Sequence, residues 1–291
     1  MEIRNLKFTV IGGDNRQGYL AQSLAKDGIS VTVNGLEKLG TLDKVKPVIE
    51  TAQAVKNSDV VVLPVPASRD NVLVNAPHSY SPIYLTDIFA AAKPHQIILG
   101  GLLNKSLYEG TREKELKLID YYEREELTVL NAIPTAEGAL EIAMRETKKT
   151  IFKSNCLVVG YGRIGKVLSN MLKALGANVT ATARKYSDLA WIKANGINGI
   201  FTDDILNYIS QFDIIFNTVP HLVIGMRELL CCKEDVLIID LASAPGGVDY
   251  NAASQCGIKT IHALSLPGKV APESAAEIIK ETLINIIKEI N

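Results

Sequence analysis

Three glycines near the middle of the chain have the spacing of a dinucleotide-binding turn. Gly160, Gly162 and Gly165 follow the apolar run NCLVVG and open a segment rich in Leu, Val and Lys. In a strand–turn–helix unit, the first glycine permits the tight turn, the second lets the backbone approach a pyrophosphate, and the third lets the helix lie close to the strand. The phosphates bind the amides at the positive end of the helix. The alternative is a glycine turn that binds nothing. The predicted contacts also include Tyr161, Arg163 and Ile164.

A basic pair follows the next predicted strand, NVTATA, at the position that selects the dinucleotide. An NAD site usually has Asp or Glu there to hold the ribose 2′-hydroxyl. This chain has Arg184 and Lys185 instead, then Ser187, and no carboxylate before Asp188. A guanidinium binds a 2′-phosphate in bidentate fashion, whereas a carboxylate repels it. The segment therefore predicts NADP; the alternative is that Arg184 stacks on adenine with NAD bound.

Two further strand ends are expected beside the cofactor, because ligands bind at the carboxyl edge of an open α/β sheet. The segment NTVP ends one strand, and its backbone is predicted to line the cofactor. The segment LASAPGG ends the next and is predicted to border the nicotinamide. The residues assigned to these contacts are Thr218, Val219, Pro220, Leu241, Ala242 and Ser243.

The substrate and the proton transfer are assigned to other positions. VIGGDNRQ is a second glycine turn without the full fingerprint, and Asp14 would sit badly beside a pyrophosphate. It is either a substrate-anion site with Arg16 on the first helical turn, or merely a capped turn. Candidate general bases are Glu137, His221 and Asp14. Glu137 is alternatively a helix N-terminal acid, and His221 a capping or solvated residue. The predicted substrate contacts are Gly13, Asp14, Arg16, Arg69, Pro134, Thr135 and Pro267.

The elements that position these residues are short β-branched runs separated by helical patterns. Continuous apolar strands alternating with helices predict parallel sheets covered on both faces. A helix over 135–150, with Thr135 as its cap, is expected to join two such units. The predicted strands are 7–13, 29–35, 58–66, 96–101, 127–134, 155–160, 178–183, 212–219, 236–242 and 259–264.

The predicted fold is thus α/β, with two doubly wound parallel-sheet domains. Residues 1–147 are expected to form a flavodoxin- or Rossmann-like substrate domain, and residues 148–271 a Rossmann domain that binds NADP. The final segment, 272–291, is an amphipathic helix expected to pack back across the junction onto the N-terminal domain.

Composition narrows the class of protein. A chain of 291 residues, 47% of them hydrophobic, can bury two cores. A net charge of -1 argues against a nucleic-acid binder. We find neither a signal-peptide pattern nor an apolar run of membrane-spanning length, and therefore expect a soluble cytoplasmic protein. The four cysteines form no C-x-x-C pair and have no histidine at zinc-ligand spacing, so we expect reduced thiols and no metal site.

The motifs, taken together and in order, resemble the family of the A subunit of bacterial dipicolinate synthase. The resemblance runs nearly the full length, and its specificity comes from the combination. Close relatives are expected to carry a basic residue at the position of Ala244 and a glycine at that of Ser265, so no substrate role is assigned to either. The matching segments are VIGGDNRQ, IPTAEG, GYGRIG, NTVP, LASAPGG and LPGKVAP.

The resemblance implies an activity. Such proteins oxidise dihydrodipicolinate, a product of the lysine pathway, to dipicolinate with NADP as hydride acceptor. They act in the mother-cell cytoplasm during sporulation, together with the flavoprotein-like B subunit of dipicolinate synthase. We also expect a homo-oligomer. The alternatives are a D-2-hydroxyacid, shikimate-type or methylene-tetrahydrofolate-type dehydrogenase, or a cofactor-binding protein without catalysis.

Overall fold

The computed structural model describes residues 2–111 and 115–290, and its contacts divide the chain into two compact units. The first unit comprises residues 1–130 and 271–291, and the second comprises residues 131–270. The sequence predicts a boundary at 147, near the end of the helix predicted over 135–150. The contacts instead divide the chain between residues 130 and 131.

The first unit is a parallel six-stranded sheet in the order β3-β2-β1-β4-β5-β6. On the central strand, Val10 pairs with Val33 on one side and with Val62 on the other. The strands are β1 (Lys7–Ile11), β2 (Ser30–Asn34), β3 (Lys46–Pro47), β4 (Val60–Val62), β5 (Ile97–Gly100) and β6 (Lys117–Asp120). The helices are α1 (Asn15–Lys26), α2 (Thr51–Lys56), α3 (Leu85–Ala91), α4 (Lys105–Thr111) and, from the end of the chain, α11 (Pro272–Ile290).

The second unit repeats this strand order. Its sheet runs β12-β11-β10-β7-β8-β9, so the first strand of the unit again lies between the second and the fourth. The strands are β7 (Asn155–Val159), β8 (Asn178–Ala183), β9 (Asn198–Phe201), β10 (Ile214–Asn217), β11 (Leu237–Asp240) and β12 (Lys259–His262). The helices are α6 (Arg163–Ala174), α7 (Tyr186–Ala194), α8 (Met226–Leu230), α9 (Tyr250–Gln255) and α10 (Leu266–Val270).

Both sheets carry apolar clusters on their two faces, which confirms the predicted α/β class with two doubly wound sheets. The alternating side chains of a strand point to opposite faces, so central strands buried on both sides are apolar throughout. β4 is fully buried at each of its three valines. This is why the continuous apolar runs predict the central strands.

The predicted strand over 127–134 is wrong. That segment lies within α5 (Glu125–Glu146), a helix of 22 residues with two acids in its first turn. Pro134 lies inside this helix, and the Thr135 hydroxyl donates to the carbonyl of Asn131, one turn earlier. The expected cap at Thr135 and the expected helix N-terminus after Pro134 are therefore also wrong. Glu137 is the thirteenth residue of α5 and is therefore not an acid of the helix N-terminus.

The C-terminal helix α11 packs against α1 within the first unit. Its buried apolar positions follow a spacing of three and four residues, which is that of one helix face. Lys280 lies at the edge of this contact and donates to the Ser23 hydroxyl of α1 at 2.7 Å. The buried apolar residues of α11 are Ala275, Ala276, Ile279, Leu283, Ile286 and Ile287. No helix within residues 2–111 and 115–290 is long and apolar enough to cross a membrane.

Candidate functional site

The turn after β7 is held by the neighbouring strands. Gly160 has φ of +93°, a conformation that side chains disfavour, and an added Cβ would meet Thr218 Oγ1 at 2.7 Å. The Thr218 hydroxyl donates to the carbonyl of Val159 at 2.9 Å. On the other side, the amide of Gly160 donates to the Thr182 hydroxyl of β8 at 3.1 Å. The first glycine is therefore required by both its backbone and its close packing.

The other two glycines leave room where the fingerprint predicts it. Gly162 is the N-cap of α6, and no side chain caps this helix end. A Cβ at Gly162 would meet nothing within 4 Å, so the space beside the first turn is open. A Cβ at Gly165 would collide with the carbonyl oxygen of Gly160, so only glycine permits this helix-to-strand distance. These features fit a dinucleotide diphosphate.

A groove of about 970 Å³ begins at this turn and runs along the carboxyl ends of β8 and β10. It brings together three predicted elements: the glycine turn, the basic pair after β8 and the segment NTVP. Arg184 and Lys185 are both exposed in its wall. The predicted residues that line it are Gly160, Tyr161, Gly162, Arg184, Lys185, Thr218, Val219, Pro220 and His221.

Other predicted cofactor contacts lie outside the residues that line this groove. Gly165 is buried behind the turn, and Ile164 is half-buried. Arg163 is exposed as the first residue of α6, and Ser187 is exposed in the first turn of α7. The third segment, LASAPGG, follows β11: Leu241 and Ala242 are buried there, while Ser243 is exposed.

The structure adds groove residues that the sequence motifs do not predict. Lys166 lies in the first turn of α6, with Nζ 5.9 Å from the centroid of the Tyr161 ring. Asn195 Nδ2 donates to the Tyr161 hydroxyl at 3.1 Å and so fixes the ring. The sequence does show a lysine directly after the third glycine. Its place in the first turn of the helix, where the phosphates are expected to bind, could have marked it as a candidate contact. The acids that line the groove are Asp188, Asp203 and Glu228.

The corresponding turn of the first unit is closed by its own side chains. Asp14 caps α1 by accepting from the amide of Arg16 at 3.1 Å. The Arg16 guanidinium donates to the same carboxylate, and its Nη2 also donates to the carbonyl of Val65 at 3.0 Å. Partial burial would raise the pKa of Asp14, but the hydrogen bonds and the charge of Arg16 outweigh it and lower that pKa. The amide of Gly13 donates to the carbonyl of Asn75.

The remaining predicted substrate and base residues are scattered over the elements. Arg69 is exposed in the loop after β4. Glu137 is exposed on α5, where Pro134 and Thr135 are buried. Pro267 is buried in α10, the short helix just before α11. Within residues 2–111 and 115–290, no group of three or more His, Cys, Asp or Glu could hold a metal ion.

Comparison with family models separates the chain into the same two halves. Residues 7–122 match the N-terminal domain of the dipicolinate synthase A subunit. Residues 135–250 match the NAD-binding domain of D-isomer-specific 2-hydroxyacid dehydrogenases. The second match includes the glycine turn and most of the groove.

Comparison with whole proteins covers nearly the full length. The chain is 33% identical to the dipicolinate synthase A subunit of Bacillus subtilis (strain 168), over 99% of this chain and 98% of that protein. A crystal structure of the same Bacillus subtilis polypeptide is 32% identical, with a TM-score of 0.88 over 98% of this chain and 96% of that one. The A-subunit structure from Bacillus halodurans is 28% identical, with a TM-score of 0.88 over 97% of each chain.

Proposed function

This chain belongs to the family of the dipicolinate synthase A subunit, and from that premise we propose that it oxidises dihydrodipicolinate to dipicolinate with NADP. Its second unit carries a dehydrogenase-type NAD-binding domain, which supports an oxidoreductase that uses a nicotinamide cofactor. The reaction removes one hydride and one proton from the dihydropyridine ring. The product is aromatic, which makes this loss strongly favourable.

The groove of the second unit is the observation that carries the cofactor proposal. NADP, when bound, supplies the hydride acceptor. Residues Gly160 and Gly162 would hold its diphosphate, since the cap position of α6 has no side chain in the way. Arg184 and Lys185 would hold the 2′-phosphate, because both line the groove at the end of β8. Two cations and no acid directly after this strand favour NADP over NAD.

The turn of the first unit is proposed to bind a substrate carboxylate. Arg16 is almost completely buried and is held by Asp14 and by the Val65 carbonyl. Among the described residues, Nη1 of Arg16 has no hydrogen-bond acceptor, so its two N–H groups are left for an anion. Gly13, Arg69, Pro134, Thr135 and Pro267 stay proposed substrate contacts on the strength of the sequence motifs, with less support.

The proton acceptor is proposed to be Glu137 or His221 rather than Asp14. The lowered pKa of Asp14 makes its carboxylate a weaker base, and Arg16 already occupies it. His221 is exposed in the groove, and Glu137 is exposed on α5. Since aromatisation drives the reaction, an exposed base that passes its proton to water is sufficient.

The biological setting is proposed from the family alone. We propose that the chain acts in the mother-cell cytoplasm during sporulation, on a branch of the lysine pathway. Its partner would be the flavoprotein-like B subunit of dipicolinate synthase, and the chain would itself form a homo-oligomer.

The cofactor proposal is tested by titration of NADP and NAD with the purified chain and its Arg184→Ala variant. We expect Arg184→Ala to weaken NADP about 10- to 100-fold, because a charge-assisted hydrogen bond contributes about 1.5–3 kcal/mol. NAD, which has no 2′-phosphate, should change less than about twofold. Lys193→Ala is the control, since Lys193 is exposed on α7, the helix that follows Arg184, but does not line the groove. Equal losses for both nucleotides would contradict the role of Arg184.

Turnover is tested by the absorbance of NADPH with dihydrodipicolinate and the isolated chain. The match of residues 135–250 to 2-hydroxyacid dehydrogenases supports a second candidate, a dehydrogenase of that type. A strong preference for NAD, with turnover of a 2-hydroxyacid, would favour it. Nucleotide binding without turnover until the B subunit is added would favour a cofactor-binding protein without catalysis.

A further inference from the structure

A buried carboxylate lies at the end of β11, within the second unit. Asp240 has no exposed surface, and no Lys, Arg or His lies within ion-pair distance of it among the described residues. Four donors surround it instead. Its Oδ1 accepts from Asn217 Nδ2 at 2.8 Å and from the amide of Ala242 at 3.0 Å. Its Oδ2 accepts from the amide of Gly247 at 2.8 Å and from the Tyr250 hydroxyl at 2.7 Å.

Asn217 ends β10 and Tyr250 begins α9, while the two amide donors lie in the loop after β11. We name residues 218–224 the β10 loop and residues 241–247 the β11 loop. Asn217 also fixes the β10 loop. Its Oδ1 accepts from the amide of Val219 at 3.1 Å, and its Nδ2 donates to the carbonyl of Val219 at 2.9 Å. The two loops are then joined directly, because the carbonyl of Gly247 accepts from the amides of Val223 and Ile224.

Two glycines let the carboxylate lie against the backbone of the β11 loop. Gly246 has φ of +90°, and a Cβ there would lie 2.6 Å from Asp240 Oδ2. A Cβ at Gly247 would collide with Asn217 Nδ2 and with the carbonyl oxygen of Val219. The glycine pair of LASAPGG is therefore explained by Asp240 and its partners.

The peptide of Ala242 is held from both ends. Its amide donates to Asp240, and its carbonyl pairs with His262 Nε2 at 2.9 Å. Because the carbonyl only accepts, this bond requires a proton on Nε2 of the imidazole. The His262 ring stacks on Tyr250, with centroids 5.3 Å apart, and Tyr250 donates to Asp240. One closed ring of contacts thus joins Asp240, Ala242, His262 and Tyr250 at the β11 loop.

We infer that Asp240 is the positioning residue of the β11 loop, the segment proposed to border the nicotinamide. This inference rests on the proposed function for the place of the cofactor. An ionised carboxylate satisfies four donors at once, and a buried charge without a cation is stabilised only if all of them stay in place. An asparagine would turn its NH2 group toward a donor and leave that donor without an acceptor. The loop would then shift, although the glycine turn and Arg184 would not.

The test compares Asp240→Asn with Asp249→Asn in the purified full chain. We expect Asp240→Asn to lower kcat at saturating NADP about 100-fold, the effect of a displacement near 1 Å at a reacting centre. Binding of 2′,5′-ADP, which lacks the nicotinamide half, should change less than about threefold, because Asn217 still holds the β10 loop. Asp249 caps α9 by accepting from the amide of Ala252, and asparagine caps a helix about as well, so Asp249→Asn should leave the unfolding midpoint nearly unchanged and kcat within about twofold.

Tyr250→Phe provides a milder variant for the case in which Asp240→Asn does not fold. It removes one of the four donors and should give an intermediate loss of kcat, again with little change in 2′,5′-ADP binding. A normal kcat in Tyr250→Phe and in any folded Asp240→Asn would overturn the inference while the proposed function stands. A wild-type chain that binds no pyridine nucleotide would overturn the proposed function, and this inference with it.

Discussion

The turns after β1 and β7 connect a strand to a helix through three residues each, within sheets of the same strand order. They differ at the cap. Asp14 stands at the N-cap of α1, and its carboxylate takes up the amide and the guanidinium of Arg16. Gly162 stands at the same position before α6, and no side chain within residues 2–111 and 115–290 forms a capping hydrogen bond there. The same backbone frame is thus closed to a diphosphate in one unit and open in the other.

The difference teaches that the strand order alone does not create a nucleotide site. A helix N-terminus attracts anions through its exposed amides and its dipole. In the first unit a carboxylate of the chain already uses that property, and the amide of Gly13 is bonded to Asn75. In the second unit the first amides of α6 remain available to a ligand. We expect the side chain at the cap to decide whether the first helix amides are taken up within the chain or remain available to a diphosphate.

The largest expected effect follows from transferring the cap of the first unit to the second. Gly162→Asp should weaken NADP at least 100-fold, because the new carboxylate would take the first amides of α6 and repel the diphosphate. The fold should persist, since Gly162 has φ of -78° and space for a Cβ. The new cap should even stabilise the chain by roughly 0.3 kcal/mol. Calorimetric titration with NADP and thermal unfolding measure both effects.

Gly162→Ala is the matched control for this substitution. It adds a Cβ on the side where the diphosphate would approach but brings no charge, so NADP affinity should fall less than in Gly162→Asp. If Gly162→Asp binds NADP as the wild type does, the cap does not decide between the two units. If both variants lose binding equally, the cause is steric rather than the occupation of the helix amides.

A smaller effect is expected from opening the cap of the first unit. Asp14→Ala leaves the nearly buried guanidinium of Arg16 with only the Val65 carbonyl as acceptor. The loss of the cap and of this partner should lower the free energy of unfolding by about 1–3 kcal/mol, a range reduced because Asp14 is partly exposed. NADP affinity should stay within about twofold. Denaturant unfolding measures the loss of stability, and nucleotide titration measures the NADP affinity. A parallel loss of NADP affinity would contradict the assignment of the nucleotide to the second unit alone.

The central strands of both sheets can be predicted from sequence, as can the edge strand β12, whereas the edge strands β3, β6 and β9 escape prediction. β4 and β10 are buried at every position, so their continuous apolar runs stand out. β3 has only two residues, both exposed, and β9 is exposed or half-buried throughout. An edge strand exists because a neighbour pairs with it, and that pairing leaves little apolar signal. The run TVL within α5 is mistaken for a strand because Pro134 suggests a strand end.

The candidate site can be predicted where local rules suffice. The glycine turn and the basic pair after β8 follow from the turn geometry and from charge. Thr202 and Asp203 escape prediction, because a 3-10 helix brings them to the groove and its position depends on packing. Asp240 carries an unused signal: it is the one charged residue within the apolar run VLIIDLA. A charge in a buried strand requires partners, and the following glycines indicate where they lie.

A second pair of equivalent residues, at the opposite edge of the two sheets, also differs between the units. Asp59 lies just before β4 and accepts from the amide of Lys7 at 2.8 Å. Asp213 lies just before β10 and accepts from the amide of Asn155 at 2.9 Å. Asp213 alone also pairs with lysines, Lys233 at 2.8 Å and Lys149 at 3.0 Å, whereas Asp59 forms no ion pair with the described residues. Partial burial would raise the pKa of Asp213, but these partners outweigh it and lower the pKa to about 2.

The smallest expected effect comes from this pair and depends on pH. A carboxyl whose folded pKa is depressed to about 2 stabilises the fold above its unfolded pKa near 4, and this contribution is lost as pH falls from about 4 to 2. Asp213→Asn should therefore lower the free energy of unfolding by about 1–2 kcal/mol at pH 7, a value reduced for the exposed lysines. The difference from wild type should shrink below pH 4. Asp59→Asn keeps the bond to its amide and should change stability by less than about 0.5 kcal/mol. Urea unfolding of the three proteins between pH 2 and 7 measures this, and a difference that stays constant over that range would show that the lysine partners of Asp213 do not stabilise the second unit.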